Sequence, residues 1–226
     1  MNLVLLRRTI TIGLAILAAI ALTRQCRKPA GWFGRRLARA MNFGHARLTA
    51  WGLTHVTVGP RTRILDIGCG GGRTIQTMAA MATDGHIDGI DYSAASVAVA
   101  RETNAALIES GRVSIQQGSV SHLPFPDAGF DLITAVETHY YWPDLATDLG
   151  EVRRVLAPGG RFLLIAETYR GRPMDWLYWP AMRLMLRARY LTLDEHRAAL
   201  VAAGFADVQV HSHPSGWMCA VGSQPA

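Results

Sequence analysis

Short apolar segments alternate with segments of helical period over most of the chain, and this pattern limits the fold more than any other feature. The apolar segments read RILDIG, HIDGIDY, VSIQQG, FDLITAV and RFLLIAET. Strands that alternate with helices are typical of a parallel sheet with helices on both faces. Two more strand-like segments, DVQVHS and WMCAVGS, follow a helix that a Thr192–Glu195 capping box opens and Gly204 closes. The pattern predicts an α/β fold.

The N-terminus carries an uncharged run of fifteen residues, Thr9–Thr23, with arginines on both sides. As a helix this run spans about 22 Å, less than the roughly 30 Å hydrocarbon core of a bilayer. Three interpretations compete: a cleaved signal peptide, a membrane anchor whose flanking arginines reach the interface, and a helix packed in the core.

The basic residues around this run favour the anchor. Those after it are Arg24, Arg27, Lys28, Arg35, Arg36 and Arg39, and those before it are Arg7 and Arg8. The richer basic flank of a membrane segment stays in the cytoplasm. We therefore predict that residues 1–28 anchor the protein in a membrane and that its globular part is cytoplasmic.

The overall charge and the cysteines limit the kinds of partner that we expect this protein to bind. The net charge is +6, and basic residues beside an apolar N-terminus favour a membrane surface over nucleic acid. Cys26, Cys69 and Cys219 are too few and too scattered for a disulfide framework or a zinc site. We expect neither a metal nor a nucleic-acid partner.

Residues 29–60 are predicted to form a short linker and an amphipathic helix that caps the main domain, residues 61–226. The apolar positions recur in steps of three and four, at Leu37, Met41, Gly44, Leu48 and Trp51. A polar stripe lies beside them and consists of Asn42, His45 and Thr49. The stripe is either the solvated edge of a packed helix or part of a pocket.

The segment ILDIGCGGGRT, residues 64–74, ends a predicted buried strand in a turn that has almost no side chains. Because glycine weakens regular structure, such a cluster indicates that something approaches the backbone closely. Open α/β sheets bind ligands at this end of a strand. We expect Gly68, Gly70 and Gly72 to touch a flat or anionic ligand and to offer it N–H groups. The dinucleotide fingerprint G-x-G-x-x-G is not met, because its last position is Arg73.

Asp91 ends the next predicted strand, in the segment GIDYS. A carboxylate at this place can accept hydrogen bonds from both hydroxyls of a ribose. The alternative is an aspartate that only precedes a helix N-terminus at Ser93. The glycine turn nearby favours the ribose.

Four motifs in sequence resemble those of the class I S-adenosylmethionine-dependent methyltransferases. They read LDIGCGGG, GIDYS, GSVSHLPFPDAGFDLITAVET and VLAPGGRFLL, and together they cover about Arg61–Glu167. The group that contains the ubiquinone and menaquinone C-methyltransferases is the most similar. The resemblance implies a Rossmann-like three-layer sandwich with a mostly parallel seven-stranded sheet, its last strand antiparallel, preceded here by the N-terminal hydrophobic helix. It also implies S-adenosyl-L-methionine as cofactor.

The resemblance assigns cofactor contacts to particular residues. These are Asp66, Gly68, Cys69, Gly70 and Gly72 at the first motif; Asp91 for the ribose and Tyr92 on the adenine; Ser119 and Val120 beside the adenine; and Val136 near the methyl group. The family usually has aspartate where Ser119 stands, so we expect a weaker contact with the adenine amine. We expect no chemical role for the Cys69 thiol.

Methyl transfer from a sulfonium is an in-line displacement that depends mainly on positioning. A general base is needed only if the acceptor must first lose a proton. The segment ETHYYW, which follows the fourth strand, offers Glu137 and His139 as bases. His45 is a third candidate, because related enzymes fold their N-terminal helix over the cofactor. Tyr140, Tyr141 and Trp142 either wall an aromatic or cationic site or cap the core.

One segment of the sequence bears on the methyl acceptor. Met174–Tyr190 is an apolar, aromatic and basic segment, and it forms either an acceptor lid or a helix on the sheet edge. Together with the predicted anchor, it leads us to expect a small, apolar or membrane-associated acceptor such as a quinone precursor or a lipid. Two alternatives stay open. The missing third glycine argues against a nicotinamide-dependent oxidoreductase, and the retained Asp66 and Asp91 argue against a non-catalytic membrane-bound binding module.

Overall fold

The computed structural model describes residues 23, 25, 27–172, 175–176 and 188–226. Its centre is the predicted seven-stranded sheet. The strands are β1 (Ile64–Ile67), β2 (Ile87–Asp91), β3 (Val113–Gln117), β4 (Phe130–Val136), β5 (Leu156–Ala166), β6 (Ala206–Ser212) and β7 (Met218–Ser223). Their order across the sheet is β3-β2-β1-β4-β5-β7-β6. β7 is antiparallel to β5 and to β6, and the other neighbouring pairs are parallel. The predicted topology is confirmed.

Helices cover both faces of this sheet. They are α1 (Gly31–Gly44), α2 (Ala46–Leu53), α3 (Arg73–Met81), α4 (Ala94–Thr103), α5 (Ala105–Glu109), α6 (Leu145–Val155) and α7 (Leu193–Ala202). Leu149 and Leu200, from α6 and α7, pack into the apolar cluster on one face. Leu48, Ile75 and Val97, from α2, α3 and α4, pack into the cluster on the other. The chain therefore folds as a three-layer sandwich.

Two predicted helices are each divided in two. The helix expected across residues 37–51 breaks at His45, whose backbone (φ −95°, ψ 1°) leaves the helical region between α1 and α2. The helix expected after Ser93 breaks at Asn104, whose side-chain amide donates to the carbonyls of Gly72 and Ala100. In contrast, the capping box of Thr192 and Glu195 at the start of α7 is present as predicted.

The order of the strands places the ligand-binding edge. The strand order runs outward in both directions from β1, which lies between β2 and β4, and open α/β sheets bind ligands at such a switch point. Asp66 on β1 is paired with Gly89 on one side and Thr134 on the other. The loops that follow β1, β2 and β4 therefore meet at one edge.

No helix among the described residues is long and apolar enough to cross a membrane. Except for Thr23, the predicted anchor run lies outside the described residues, and so does most of the segment predicted as a lid.

Candidate active site

A cavity of about 240 Å³ lies at the carboxyl ends of β1, β2 and β4, and residues of α1 and α2 line one side of it. Most of the predicted cofactor residues line this cavity: Asp66, Gly68, Cys69, Gly70, Asp91, Tyr92, Ser119, Val120 and Val136. Glu137 and His45 line it as well, whereas Gly72 and His139 are not among its lining residues. The fold therefore brings together residues that lie far apart in the sequence.

The glycine turn has positive φ angles and uses its N–H groups differently from our expectation. Gly68, Gly70 and Gly72 have φ of 73°, 53° and 83°. Their N–H groups donate to protein acceptors: to the carbonyl of Ile90, to Oδ2 of Asp91 and to the carbonyl of Cys69, respectively. Because these donors are already used, the turn serves the cavity by allowing close approach rather than by offering free N–H groups.

Gly72 has a packing role instead of the predicted ligand contact. It is the N-cap residue of α3, and an added Cβ would lie 2.4 Å from Nδ2 of Asn104 and 2.9 Å from Cα of Ala100. Gly71 takes its place in the cavity wall. The side chain of Asn42 on α1 donates to the carbonyl of Gly71 at 2.9 Å and thereby fastens α1 to the turn.

Asp91 holds the two loops that would surround a ribose. Its Oδ2 accepts from the N–H of Gly70 at 3.0 Å and its Oδ1 from the N–H of Ser93 at 2.8 Å. Burial raises the pKa of this carboxyl, and the two hydrogen bonds oppose that rise. An ionised carboxylate has about four lone-pair sites, so two remain for ligand hydroxyls.

The segment before α1 closes the cavity beside Asp91. The hydroxyl of Tyr92 donates to the carbonyl of Arg27, and the hydroxyl of Ser93 donates to the carbonyl of Pro29 at 2.6 Å. Arg27 and Pro29 both line the cavity. These two residues therefore belong to the site, although we had assigned Arg27 to the anchor segment.

Asp66 provides the test of whether this cavity suits the cofactor. Its Oδ1 accepts from the hydroxyl of Thr134 at 2.7 Å, while its buried Oδ2 has no hydrogen-bond partner among the residues that the structure describes. Burial raises the pKa of the Asp66 carboxyl to about 7; the Thr134 bond opposes that rise and the charge of Asp91 adds to it. A buried acceptor without a partner is costly, and a ligand ammonium group would satisfy it. The amino group of S-adenosyl-L-methionine fits this requirement.

The thiol of Cys69 has the inert character that we expected. It is buried, and burial together with the charges of Asp91 and Asp66 raises the pKa of this thiol. Because the thiolate is the reactive form, a raised pKa makes the thiol unreactive.

A second group of polar side chains lies at the end of β4. A ring nitrogen of His45 and one carboxylate oxygen each of Glu137 and Glu167 lie within 4.8 Å of one another. Burial raises the pKa of the Glu137 carboxyl to about 8, and the charge of Glu167 adds to the rise. Burial lowers the pKa of His45, and Glu167 partly offsets this. Near neutral pH this end of the cavity can therefore hold a proton on Glu137.

Glu137 is held in an unusual conformation. Its φ is 57°, in the left-handed region that side chains other than glycine rarely adopt. Its N–H donates to the carbonyl of Ile165 at 3.0 Å, and its Oε1 accepts from the N–H of Glu167. These contacts from β5 fix a strained residue, and strain of this kind clusters at functional sites.

His139 does not contribute to the cavity. It is fully buried, and its Nε2 lies 3.0 Å from Nε2 of His196 on α7. His196 uses Nδ1 to donate to the carbonyl of Thr192 at 2.7 Å, so its Nε2 is an acceptor and His139 is the donor. Burial lowers the pKa of both imidazoles, which are therefore neutral. His139 is therefore not a candidate base. Its hydrogen bond to His196 links the loop after β4 to α7.

The three aromatic residues after His139 divide between the two roles left open. Tyr141 and Trp142 line the cavity, and Nε1 of Trp142 donates to Oγ1 of Thr138 at 3.0 Å. Tyr140 is buried, and its hydroxyl donates to the carbonyl of Thr168 at 3.2 Å. Tyr140 therefore caps the core, and the other two wall the site.

Some residues of the cavity were missed or left open by the sequence. The cavity is lined by all three residues of the polar stripe, Asn42, His45 and Thr49. The stripe is therefore part of a pocket and not a solvated edge. Thr138 was missed. In the structure it occupies the space beside Gly68, where an added Cβ would lie 2.5 Å from its Oγ1. The motif shows that Gly68 needs room but does not show which side chain fills that room.

The comparisons with known proteins agree with this site. Residues 59–180 match the methyltransferase domain family. The chain is 30% identical, over 189 residues, to an uncharacterised methyltransferase of Synechocystis sp., which covers 80% of this chain and 84% of that protein. The chain therefore belongs to the methyltransferase domain family, and it is an enzyme that uses S-adenosyl-L-methionine.

Two other relatives match over shorter stretches. An O-methyltransferase of Pyrenophora dematioidea is 37% identical over 54% of this chain and 45% of that protein. A demethylmenaquinone methyltransferase of Symbiobacterium thermophilum is 36% identical over 47% of this chain and 43% of that protein. The chain thus spans less than half the length of these two relatives.

A solved structure confirms the fold. Human N-acetylserotonin methyltransferase in complex with its cofactor superposes with a TM-score of 0.71 and 19% identity, over 85% of this chain and 56% of that one. Neither the nicotinamide-dependent alternative nor the non-catalytic alternative gains support from any of these comparisons.

Proposed function

We propose that the enzyme methylates an oxygen or carbon atom of a small, apolar acceptor that first gives up a proton to Glu137. The observation that carries this proposal is the Glu137 carboxyl, which lies in the cavity wall with its pKa raised to about 8. A general base works best when its pKa lies near the working pH. The names of two relatives, an O-methyltransferase and a demethylmenaquinone methyltransferase, support oxygen or carbon as the methylated atom.

Each part of the cavity has a distinct task in this proposal. Asp66 and Asp91 would hold the cofactor at the glycine turn, where Asp66 would accept from its amino group and Asp91 from its ribose hydroxyls. When bound, the cofactor would supply an electrophilic methyl group whose bonding electrons leave with the sulfur. Glu137 would take the proton from the acceptor and leave the freed electron pair on the atom to be methylated. Positioning in line accounts for most of the acceleration.

The apolar side chains of the cavity support an apolar acceptor. The cavity that Glu137 lines is also lined by Met41, Val136, Tyr141 and Trp142. Sites for small molecules are usually apolar with a few well-placed polar groups. His45 and Glu167 lie close to Glu137, and the charge of Glu167 adds to the rise in the pKa of Glu137.

The test uses methyl-labelled cofactor because the acceptor is to be identified. The full chain is incubated with a cell extract, and labelled products are separated into aqueous and organic phases and identified. We expect label in the organic phase, at a rate that rises with pH through about 8. Glu137→Gln should lower this rate at least tenfold and remove the pH dependence. Glu109→Gln, which changes an exposed carboxyl on α5, is the matched control.

Two outcomes would contradict the proposal. Label that appears only in water-soluble products would exclude an apolar acceptor. A Glu137→Gln variant as active as the parent at every pH would exclude Glu137 as the base.

A further inference from the structure

The charge of the chain is divided very unevenly. Eleven of the 23 basic residues and none of the 17 acidic residues precede Asp66. Helices α1 and α2 lie in this region and contain no carboxylate of their own. Arginines that have no carboxylate on their own helix stay available to attract anions unless another element neutralises them.

The outer face of α1 adds exposed aromatic residues to this charge. Trp32 is 66% exposed and Phe43 is 79% exposed, and the two lie eleven residues apart, or about three turns, on one side of the helix. Arg36 lies between them, with its guanidinium 5.8 Å from the ring of Trp32. Phe33, 47% exposed, lies at the margin. We call Trp32, Phe33, Arg36 and Phe43 the outer face of α1.

Only part of the neighbouring charge is neutralised within the protein. Arg39, on the same side of α1, pairs with Glu102 of α4 at 2.6 Å. Arg35 and Arg47 are exposed, and no ion pair with a described carboxylate forms at either of them. Arginines beside exposed tryptophan and phenylalanine are typical of helices that lie in a membrane interface.

The opposite side of α1 belongs to the active site. Ala38, Met41 and Asn42 line the cavity. A helix with its side chains is about 10–12 Å thick, so only this thickness separates the outer face from the cofactor cavity. A partner bound at the outer face would lie directly against the wall of the cavity.

We propose that the outer face of α1 lies in the interface of an anionic lipid bilayer, with Trp32 and Phe43 at the boundary between the headgroups and the acyl chains and with Arg35 and Arg36 at the lipid phosphates. This surface is separate from the predicted anchor and lies within the described residues. Insofar as it brings the cavity close to a membrane-dissolved acceptor, the inference rests on the proposed function; the lipid contact itself does not.

The test follows the fluorescence of Trp32 in the full chain, reconstituted into vesicles of phosphatidylcholine with or without phosphatidylglycerol. Some of the lipids carry brominated acyl chains, which quench tryptophans that touch them. The difference between the parent and Trp32→Phe isolates the emission of Trp32. We expect brominated lipid to quench this emission at least twofold in the anionic vesicles. Trp217→Phe, which reports a partly buried tryptophan that packs on Trp51, is the matched control and should show no such quenching.

A charge variant tests the second half of the proposal. Replacing Arg35 and Arg36 by glutamine should reduce the quenching of Trp32 in anionic vesicles to the level in phosphatidylcholine alone. The aromatic residues are unchanged in this variant, and both arginines are exposed, so the fold should be retained.

Three results would overturn the inference. Trp32 could remain unquenched by brominated lipid in both kinds of vesicle, or Trp217 could be quenched as strongly as Trp32. Trp32 could also be shielded from aqueous iodide before any lipid is added, which would show that a protein surface, from this chain or a second copy, covers α1. None of these measurements needs turnover, so failure of the Glu137 test and failure of this one are distinguishable.

Discussion

Asp66 has a buried carboxylate oxygen without a hydrogen-bond partner in the described part of the chain and a pKa raised to about 7, and both facts bear on cofactor binding. Only the ionised carboxylate is a strong acceptor for an ammonium group. We therefore expect the affinity for the cofactor's demethylated product to be greatest above pH 7 and to fall up to tenfold for each pH unit below it. Calorimetric titrations between pH 5.5 and 8.5 measure this directly.

The Asp66→Asn variant separates this effect from other titrations. It cannot ionise, so its affinity at pH 8 should fall by the worth of one charged hydrogen bond, about 1.5–3 kcal/mol. At pH 5.5, where the parent carboxyl is protonated, the two proteins should bind alike. An equal difference in affinity between the parent and Asp66→Asn at both pH values would show that Asp66 does not contact the ammonium group.

Gly70 and Gly111 form a matched pair for testing the turn. Both have positive φ, 53° and 74°, and an added Cβ would meet nothing closer than 4.0 Å at either. Valine at such a backbone conformation costs about 1–2 kcal/mol, so either variant should lower the melting temperature by roughly 2–8 °C. Only Gly70 lines the cavity, so only Gly70→Val should abolish cofactor binding. Loss of binding in Gly111→Val as well would show that general destabilisation is responsible.

At this scale the sequence predicts positions better than contacts. Asp91 could be located because it ends a strand, and the ends of adjacent parallel strands lie at one edge. Asp66, one residue before the end of β1, was assigned through the motif LDIGCGGG. That Gly72 faces α4, or that the N–H of Gly70 is used by Asp91, depends on how the helices pack. One motif seen alone does not contain that information.

The same difference between predictable positions and unpredictable contacts appears for whole helices and strands. Seven strands and α7 could be placed from apolar runs and a capping box, since these signals are local. The break between α1 and α2 at His45 was missed, because the apolar period continues through it. The partner of His139 was missed as well, because His196 lies on α7, fifty-seven residues later.

The pair of His139 and His196 leads to a prediction about the join between the loop after β4 and α7. Both imidazoles are neutral when folded, with lowered pKa values, whereas in the unfolded chain each protonates near pH 6.5. The unfolded state therefore takes up more protons below pH 6.5. Stability is fully present above pH 6.5 and is lost as the pH falls, by up to about 1.4 kcal/mol per pH unit for each histidine.

His139→Gln tests this role against a catalytic one. Glutamine keeps an N–H donor for His196 but cannot be protonated, so the loss of stability between pH 6.5 and 5 should become shallower. Urea unfolding at each pH gives this slope, and the rate of methyl transfer at pH 8 should stay within about twofold of the parent. His86→Gln, which changes a partly exposed imidazole, is the control. A tenfold loss of rate with unchanged stability would indicate that His139 takes part in methyl transfer.

At the scale of the whole molecule, the charge division and the outer face of α1 point the same way as the predicted anchor. Residues 1–22 are outside the described residues, so the anchor stays a prediction from the sequence. The structure shows how much of the segment before α1 the site needs. Because Arg27 and Pro29 line the cavity and accept hydrogen bonds from Tyr92 and Ser93, a shortened chain should begin at Arg27.

We predict that the full chain is found in the membrane fraction of expressing cells and resists extraction by about 1 M salt, with a C-terminal tag on the cytoplasmic side. An apolar segment is insensitive to ionic strength, whereas contacts of arginine with lipid phosphate are screened within about 3 Å at that salt concentration. The chain that begins at Arg27 should therefore be released by the same salt, and it should bind the cofactor as tightly as the full chain. A full chain that is washed off by salt, or a tag outside the cytoplasm, would reject the anchor while leaving the lipid contact of α1 to its own test.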